Sequence, residues 1–506
     1  MYAMDAPPGR KIPTPPALEA AAILQVRGGF LGASGLQTAR MVATGPAALN
    51  TLPFHLVTLT HADWDSALAC ARHLGDDALP ELRLDLFPDL DPEALVDAMK
   101  RRCLVTCRRA SEGGRWPNGD ESGRLAQLVK AVRGRPFWVD LEWDVAIPPE
   151  LQAARTHVRL LRSVHVEPGV FDLEARLQAL PDGEAYSWVG RAGRLGDNGR
   201  LRAPLAWARD HGIALGAHLK GPKGMASRVM QAAWGGTFIY AAPDDGPPAV
   251  QGQLPLTTLR DWRCARLLPT HGLCGVIGEP VLHSRSPAFH NPRFQRALKD
   301  LVYIPLLCGE AGEAAEALEA LGILGLSITA PLKLALPAAL GLEGPLNTLW
   351  RRAVGEPWHG ANTDADSIGQ FLAQMEPCPV LLLGSGGVAR TSRNLLEAGG
   401  FPILQVSRQH PASEAEVSVF GPVGVVQATS LGMAHGDPAP FPELLGIARD
   451  TARWALEWIY KEDTAFATWA REAGLQLVSG GALFEAQAEA QSRRFIEGCG
   501  GLPADS

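Results

Sequence analysis

The chain has 506 residues, enough for two to four cores of ordinary size. Apolar residues make up 46% and charged residues 20%, which excludes wholesale disorder, and 54 glycines and 40 prolines without a strict period exclude a fibre. A formal charge of −7 with no basic tract argues against nucleic acid as a main partner. The cysteines stand apart, at 70, 103, 107, 264, 274, 308, 378 and 499. None forms a CxxC pair and no Cys/His cluster has zinc spacing, so free thiols, a reducing cytoplasm and no metal are expected. The apolar stretch Leu321–Leu342 contains Pro331, Lys333 and Pro337, which argues against a membrane span. The short apolar run Ala20–Val26 is bracketed by Glu19 and Arg27 and is not expected to be a signal peptide.

Residues 1–50 carry little pattern and are expected to form an extension. From Leu52 onward, short apolar runs alternate with helical stretches: Phe54–Leu59, Glu81–Leu86, Cys103–Cys107, Phe137–Leu141, Val158–Val164, Tyr186–Val189, Ile213–Leu219 and Thr237–Ala241. Helical patterns such as Asp63–Leu74 and Pro92–Arg101 lie between them. Eight strand–helix units predict a (β/α)8 barrel over 51–267. The stretch Gly246–Pro255 is rich in Pro, Gly and Gln, and a boundary is expected near 265–270. A second α/β region follows. At Val380–Leu383 a buried strand feeds a glycine loop, which reads as a further start.

That loop is Gly384-Ser385-Gly386-Gly387-Val388-Ala389-Arg390, opening a helix over Thr391–Ala398. Glycines let backbone approach a pyrophosphate, and a helix N-terminus favours its charge. The spacing is GxGG, so a plain tight turn in a doubly wound sheet is the alternative. The next strand, Ile403–Val406, ends in Ser407-Arg408. An arginine there, in place of an acidic residue, suits a 2′-phosphate and favours NADP over NAD. Upstream, Ser284 and Ser286 stand two apart in a loop and can face a ligand carboxylate or hydroxyl, or simply cap a helix. The run Gly325–Lys333 places a lysine just past an apolar strand, where it is costly unless paired or functional. Asn347-Thr348 and Asn362-Thr363-Asp364 follow.

These blocks, with Gln427–Met433 and Gly480–Ala488 after them, resemble shikimate dehydrogenase over nearly all of 272–498. The resemblance implies an α/β substrate lobe over 270–376 plus 481–506, and a Rossmann-like NADP lobe over 377–480. It implies a catalytic pair, Lys333 and Asp364. It assigns Ser284 and Ser286 to the substrate carboxylate, and Thr329, Asn347, Tyr460 and Gln487 to ring hydroxyls. It places Gly384, Ser385, Gly386, Gly387, Val388, Ser407, Arg408, Thr429 and Gly480 at the cofactor. Ser327, Ser407 and Gln427 stand where the family usually has Asn, Ala365 where it has Gly, and Leu483 at a common Met position.

The first half carries charged residues at strand ends: Glu81-Leu82-Arg83, Thr106-Cys107-Arg108, Asp140-Leu141-Glu142 and Ser163-Val164-His165. Such groups inside a barrel pair with each other or with a ligand. With Ser227-Arg228 and Gln253 they resemble type I 3-dehydroquinate dehydratase over about 52–260. That resemblance implies a site of Glu81, Arg83, Arg108, His165, Arg228 and Gln253. The family works through a Schiff-base lysine on the sixth strand, but Val189 stands there, and no lysine occurs between Lys130 and Lys220. A guanidinium is no nucleophile, so Arg191 cannot replace it. The expectation is a working dehydrogenase that reduces 3-dehydroshikimate, fused to a barrel without dehydratase chemistry. Lys220 or Lys223 as a migrated nucleophile is the alternative for the barrel. An NAD-linked quinate/shikimate dehydrogenase and a non-catalytic metabolite sensor are the alternatives for the whole. The expected partners are small molecules, with neither membrane nor nucleic acid; the sequence is silent on oligomeric state.

Overall fold

The computed structural model describes residues 54–459, 461 and 463–500. The extension expected at 1–50 and Tyr460 lie outside the described residues.

The first eight strands are β1 (His55–Thr58), β2 (Ala78–Arg83), β3 (Leu104–Thr106), β4 (Trp138–Glu142), β5 (Arg159–His165), β6 (Ala185–Arg191), β7 (Leu215–Lys220) and β8 (Ile239–Ala241). They form one parallel sheet in the order β7-β6-β5-β4-β3-β2-β1-β8. Across the remaining seam Thr237 N–H donates to Leu215 O at 2.8 Å, bringing the two ends together as a nearly closed barrel. Side chains of β1, β3 and β4 are buried throughout, as strands covered on both faces require. Helices between strands are capped conventionally: Asp63 accepts from Ser66 N–H at 2.8 Å at the start of Trp64–His73.

The second strand differs from the expected Glu81–Leu86. It begins at Ala78, and Leu84–Leu86 is a 3-10 turn. Asp85 causes the turn, because its carboxylate pairs with Arg83 and accepts the Arg108 and Arg115 N–H groups at 3.0 and 2.9 Å. The Pro/Gly-rich stretch Gly246–Pro255 is not a linker; it belongs to the connection that leaves β8 and covers the barrel mouth.

A second sheet holds β9 (Gly272–Gly278), β10 (Leu301–Leu307), β11 (Ile323–Ile328), β12 (Thr348–Trp350) and β13 (His359–Ala361), in the order β10-β9-β11-β12-β13. Its first three strands are parallel and its last two antiparallel. The third sheet, wholly parallel, runs β15-β14-β16-β17-β18, with β14 Val380–Leu383, β15 Ile403–Val406, β16 Gly424–Gln427, β17 Trp454–Glu457 and β18 Gln476–Val478. The C-terminal helix runs Gly480–Gly498, capped by Ser479. Two consecutive glycines at its start hide that turn from any apolar pattern. No helix among the described residues is long and apolar enough to cross a membrane. The stretch Leu321–Leu342 divides into the end of one helix, β11 and the helix Leu332–Ala339.

The barrel and the second sheet share an interface. The turn Leu195–Leu201 packs on the helix Ala311–Leu321, Glu313 accepts the Leu195 N–H at 2.7 Å, and Lys223 Nζ reaches Glu313 at 2.8 Å.

Under the C-terminal helix, His290 is fully buried, bonded to Ser492 Oγ at 2.8 Å and stacked 4.3 Å from the Tyr303 ring. Burial, and then the nearby Arg293, push its pKa down to about 3. The folded state therefore holds it neutral while the unfolded chain protonates near pH 6.5. Its contribution is complete above about pH 6.5 and is lost as pH falls toward 3, at up to about 1.4 kcal/mol per pH unit. Urea unfolding at pH 7.5 and 5.5 should show wild type losing roughly 1 kcal/mol more than His290→Gln over that interval.

Candidate active sites

Parallel strands all end on one side, so the barrel's carboxyl ends converge on one mouth. A cavity of about 520 Å3, counted out to its open mouth, lies there. All six residues expected of the barrel line it: Glu81, Arg83, Arg108, His165, Arg228 and Gln253. Val189 lines it too. The ladder puts His165 beside Val189 and Val189 beside His218, so three neighbouring strands present one layer to the interior. Lys220, two residues beyond His218, takes the same face one layer higher and also lines the cavity.

The six residues differ in how far protein partners already occupy them. Arg83 pairs with Asp85 at 2.6 Å. Arg108 pairs with Asp140, sits 3.5 Å from Glu142 and 3.3 Å from Glu112, and donates to Ser163 Oγ at 3.0 Å. These two arginines therefore also build the internal salt-bridge layer that charged strand ends allow. Glu81 accepts from Thr58 Oγ1 at 2.6 Å, and burial raises its pKa. Gln253 donates to Thr58 Oγ1 at 3.3 Å and accepts the Ala249 N–H at 2.8 Å. Arg228 is different. It is 1% exposed, and none of its three side-chain nitrogens has a hydrogen-bond partner among the described residues. A buried guanidinium without a partner is costly unless an anion completes it. Burial and then Arg108 hold His165 neutral, with its pKa well below the ordinary value. Lys220 is half-buried; burial, followed by Arg191 and Arg108, lowers its pKa. Lys223 is not in the cavity, because Glu313 holds it. Thr58 on β1, His218 on β7 and Tyr240 on β8 also line it and were not singled out in the sequence; alternation along their strands was the only signal for them.

In the second sheet the strand order reverses at β9, which lies between β10 and β11. Ligands bind at the carboxyl ends beside such a reversal. Ser284 and Ser286 follow β9, and Thr329 and Lys333 follow β11. Ser284 Oγ accepts the Ser286 N–H at 3.2 Å, and Ser286 is buried at the start of the helix Ser286–Arg296. Lys333, in the first turn of Leu332–Ala339, forms an ion pair with Asp364, in the first turn of Thr363–Leu372. The lysine side chain is 38% exposed and the aspartate 8%, so the pair faces out from a buried carboxylate. Asn347 joins them through the chain: its Oδ1 accepts Thr363 N–H at 2.8 Å and the hydroxyls of Thr363 and Thr348 at 3.0 and 2.9 Å. Its Nδ2 is buried and has no partner among the described residues. Gln487 is half-buried on the C-terminal helix. One turn on, Gln491 accepts from Ser327 and donates to Thr348 Oγ1, at 2.9 and 3.1 Å. Gln491 carries no signal in the chain order, since one polar residue on an amphipathic helix is indistinguishable from its exposed neighbours.

In the third sheet the reversal falls at β14, between β15 and β16, and Gly384–Gly387 leaves that strand. Gly384 has φ +124°, and a Cβ there would lie 2.6 Å from Ala428 O, so the turn demands glycine. A Cβ on Gly386 or Gly387 would meet nothing within 4 Å, which leaves an open backbone cradle at the start of the helix Gly387–Ala398. Ser385 is exposed and Val388 half-buried. Ser407 is buried and accepts the His410 N–H at 3.2 Å, while Arg408 is exposed beside it. Thr429 accepts the Leu431 N–H at 3.1 Å. Gly480 sits apart from the cradle in its role: a Cβ there would meet Ile459 O at 2.2 Å, so it serves a close backbone approach.

Residues 55–263 match the family model of type I 3-dehydroquinase, and residues 276–342 match that of the shikimate dehydrogenase substrate binding domain. Two successive segments of the chain thus match two different families. It is 27% identical over 493 residues to a bifunctional 3-dehydroquinate dehydratase/shikimate dehydrogenase, chloroplastic, of Arabidopsis thaliana, covering 86% of this chain and 79% of that protein. Among solved structures, the dehydroquinate dehydratase and shikimate dehydrogenase of S. pombe AroM is 19% identical with a TM-score of 0.38, covering 89% of this chain and 96% of that one. The shikimate dehydrogenase of Aquifex aeolicus is 26% identical with a TM-score of 0.39, covering 45% and 93%.

Replacing Gly384 by Ala should destabilise the third sheet's lobe by more than about 1 kcal/mol and weaken dinucleotide binding at least tenfold, because both the φ and the Ala428 carbonyl oppose a Cβ. Gly386→Ala, with open space around it, should fold normally. Thermal unfolding and nucleotide titration of the two variants check this.

Proposed function

We propose that residues 270–500 catalyse the reversible, NADP-linked reduction of 3-dehydroshikimate to shikimate. The observation that carries this reading is the Lys333–Asp364 ion pair beside the unpartnered Asn347 amide. The open cradle at Gly386-Gly387 and the exposed Arg408 fit a dinucleotide with a 2′-phosphate, whose nicotinamide supplies the hydride equivalent when bound. On the protein side, Ser284 and Ser286 hold the substrate carboxylate. Asn347 Nδ2 and Thr329 take ring hydroxyls. Lys333 donates a hydrogen bond to the carbonyl oxygen and passes it a proton as charge develops there. Asp364 orients the lysine and accepts from the neighbouring hydroxyl. The lobes 270–376 with 481–500, and 377–480, close on the substrate between them. With thiols unpaired and no apolar span among the described residues, a cytoplasmic place suits the reaction.

For the barrel we propose a site that binds an anionic ring compound but has lost the family's sixth-strand nucleophile, whose place Val189 takes. The orphan guanidinium of Arg228 supports the binding half of this reading. One observation favours a second reading, in which the barrel also dehydrates 3-dehydroquinate: Lys220 lines the same cavity, and burial shifts its pKa in the direction that favours the free amine.

Oxidation of shikimate by NADP, followed at the reduced-nicotinamide band, tests the first proposal. Lys333→Ala and Asp364→Asn should each lower kcat/KM by about 10²–10⁴ with the fold intact. Arg408→Ala should raise the KM for NADP by about tenfold or more and leave that for NAD unchanged. No activity with either nucleotide would remove the dehydrogenase reading. For the barrel, 3-dehydroquinate is added with borohydride and the protein is weighed by mass spectrometry. No adduct, with binding still seen by calorimetry, is the expected result; an adduct on Lys220, absent in Lys220→Met, would establish the second reading.

A further inference from the structure

Away from both sites, three elements bring a mixed donor set together. His61 follows β1, Cys70 lies on the helix Trp64–His73, and Asp245 lies on the connection after β8. One donor atom from each lies within 4.8 Å of the others, the one such group among the described residues. His61 and Cys70 are 8% and 7% exposed, while the Asp245 side chain is 62% exposed. His61 Nε2 meets Asp245 Oδ1 at 3.1 Å, and the Cys70 thiol lies against the same carboxylate. His61 Nδ1 is buried without a partner, so the ring is held by this cluster alone. Burial and then Asp245 push the Cys70 thiol up to about 12, so without a cation the sulfur stays protonated.

We propose that His61, Cys70 and Asp245 form a binding site for a zinc-type divalent cation that staples the first and last strands of the barrel at its mouth. The donor chemistry fits. One imidazole nitrogen, one thiolate and one carboxylate suit a borderline-soft ion, and the two anionic ligands neutralise its charge. Tetrahedral bonds of about 2.0–2.3 Å set ligand atoms roughly 3.3–3.8 Å apart, so donors now within 4.8 Å of one another need draw together by no more than about 1–1.5 Å. Binding replaces the thiol proton by the cation, and that proton leaves to solvent; no electron moves. The exposed side at Asp245 gives the ion its entry and leaves a fourth position for water. Gly246 keeps that side clear, since a Cβ there would stand 3.2 Å from His61 Nε2.

The position gives the staple a consequence. β8 has a ladder with β1 only. The chain leaving β8 passes Asp245 and then supplies Ala249, Val250 and Gln253 to the cavity. A cation at Asp245 would anchor this covering segment to the β1 side. The site does not depend on what the cavity binds.

The test uses full-length protein stripped with chelator. Cobalt(II) alone should bind in a one-to-one ratio with a thiolate charge-transfer band in the near ultraviolet, and zinc should abolish the band. Cys70→Ser, nearly isosteric, should lose the band. Asp245→Asn, at an exposed position, should keep its fold by circular dichroism and bind zinc at least about tenfold more weakly. Zinc should raise the melting temperature of wild type by a few degrees and that of Cys70→Ser not at all. Folded wild type without a thiolate band, or a band that survives in Cys70→Ser, would overturn the site.

Discussion

Parallel strands put every carboxyl end on one side of their sheet, and this constraint organises the whole chain. A parallel pair needs a crossover of a dozen residues or more, so helices cover the faces and loops are left only at the ends. In the barrel those ends meet at one mouth. In the two open sheets the order reverses once, at β9 and at β14, and a crevice opens there. Charged and glycine-rich segments such as Arg108–Gly114 and Gly384–Gly387 fall at these places.

Burying charge at such ends has a cost, and the chain meets it differently in each. The barrel surrounds Arg108 and Arg124 with Asp140, Glu142, Glu112 and Glu121. Those arginines are paired with carboxylates, although Asp140 Oδ1 and Glu142 Oε2 have no hydrogen-bond partner among the described residues, and removing one member would leave an uncompensated charge. Arg228 and the amide of Asn347 stand outside such arrangements, each buried and each without a partner. Satisfied polar groups hold a structure; unsatisfied ones mark where a ligand completes it. Arg228 lies within the segment that matches the first family, and Asn347 five residues past the segment that matches the second.

The interface between barrel and second sheet bears on both. Lys223 follows β7 by three residues and is tied to Glu313 on the helix Ala311–Leu321, which packs on Leu332–Ala339, the helix that begins at Lys333's turn. The same ion pair that removes Lys223 from the cavity leaves Lys220 as the one lysine lining it among the described residues.

Much was legible in the sequence because it depends on local pattern. Eight apolar runs at regular intervals specify a barrel, since each unit must bury a strand against a helix. The turn at Gly384 needs a positive φ, and only glycine accepts that backbone beside the Ala428 carbonyl. Lys333 stood out because a charge near an apolar strand must be paired or functional, while Asp364 was joined to it only by the family resemblance. What depends on separation in space was not legible. β2 ends before Leu84 because Asp85 turns the chain there, and the C-terminal helix starts at Gly480 because Ser479 caps backbone that carries no apolar rhythm. Gln491 reaches Ser327 across 164 residues. Lys220 and Lys223, three residues apart, were equivalent as letters; Lys220 ends β7 at the mouth, and the loop beyond it carries Lys223 to Glu313. His61, Cys70 and Asp245 have no metal spacing along the chain, and only closing β8 onto β1 brings residues so far apart to one point.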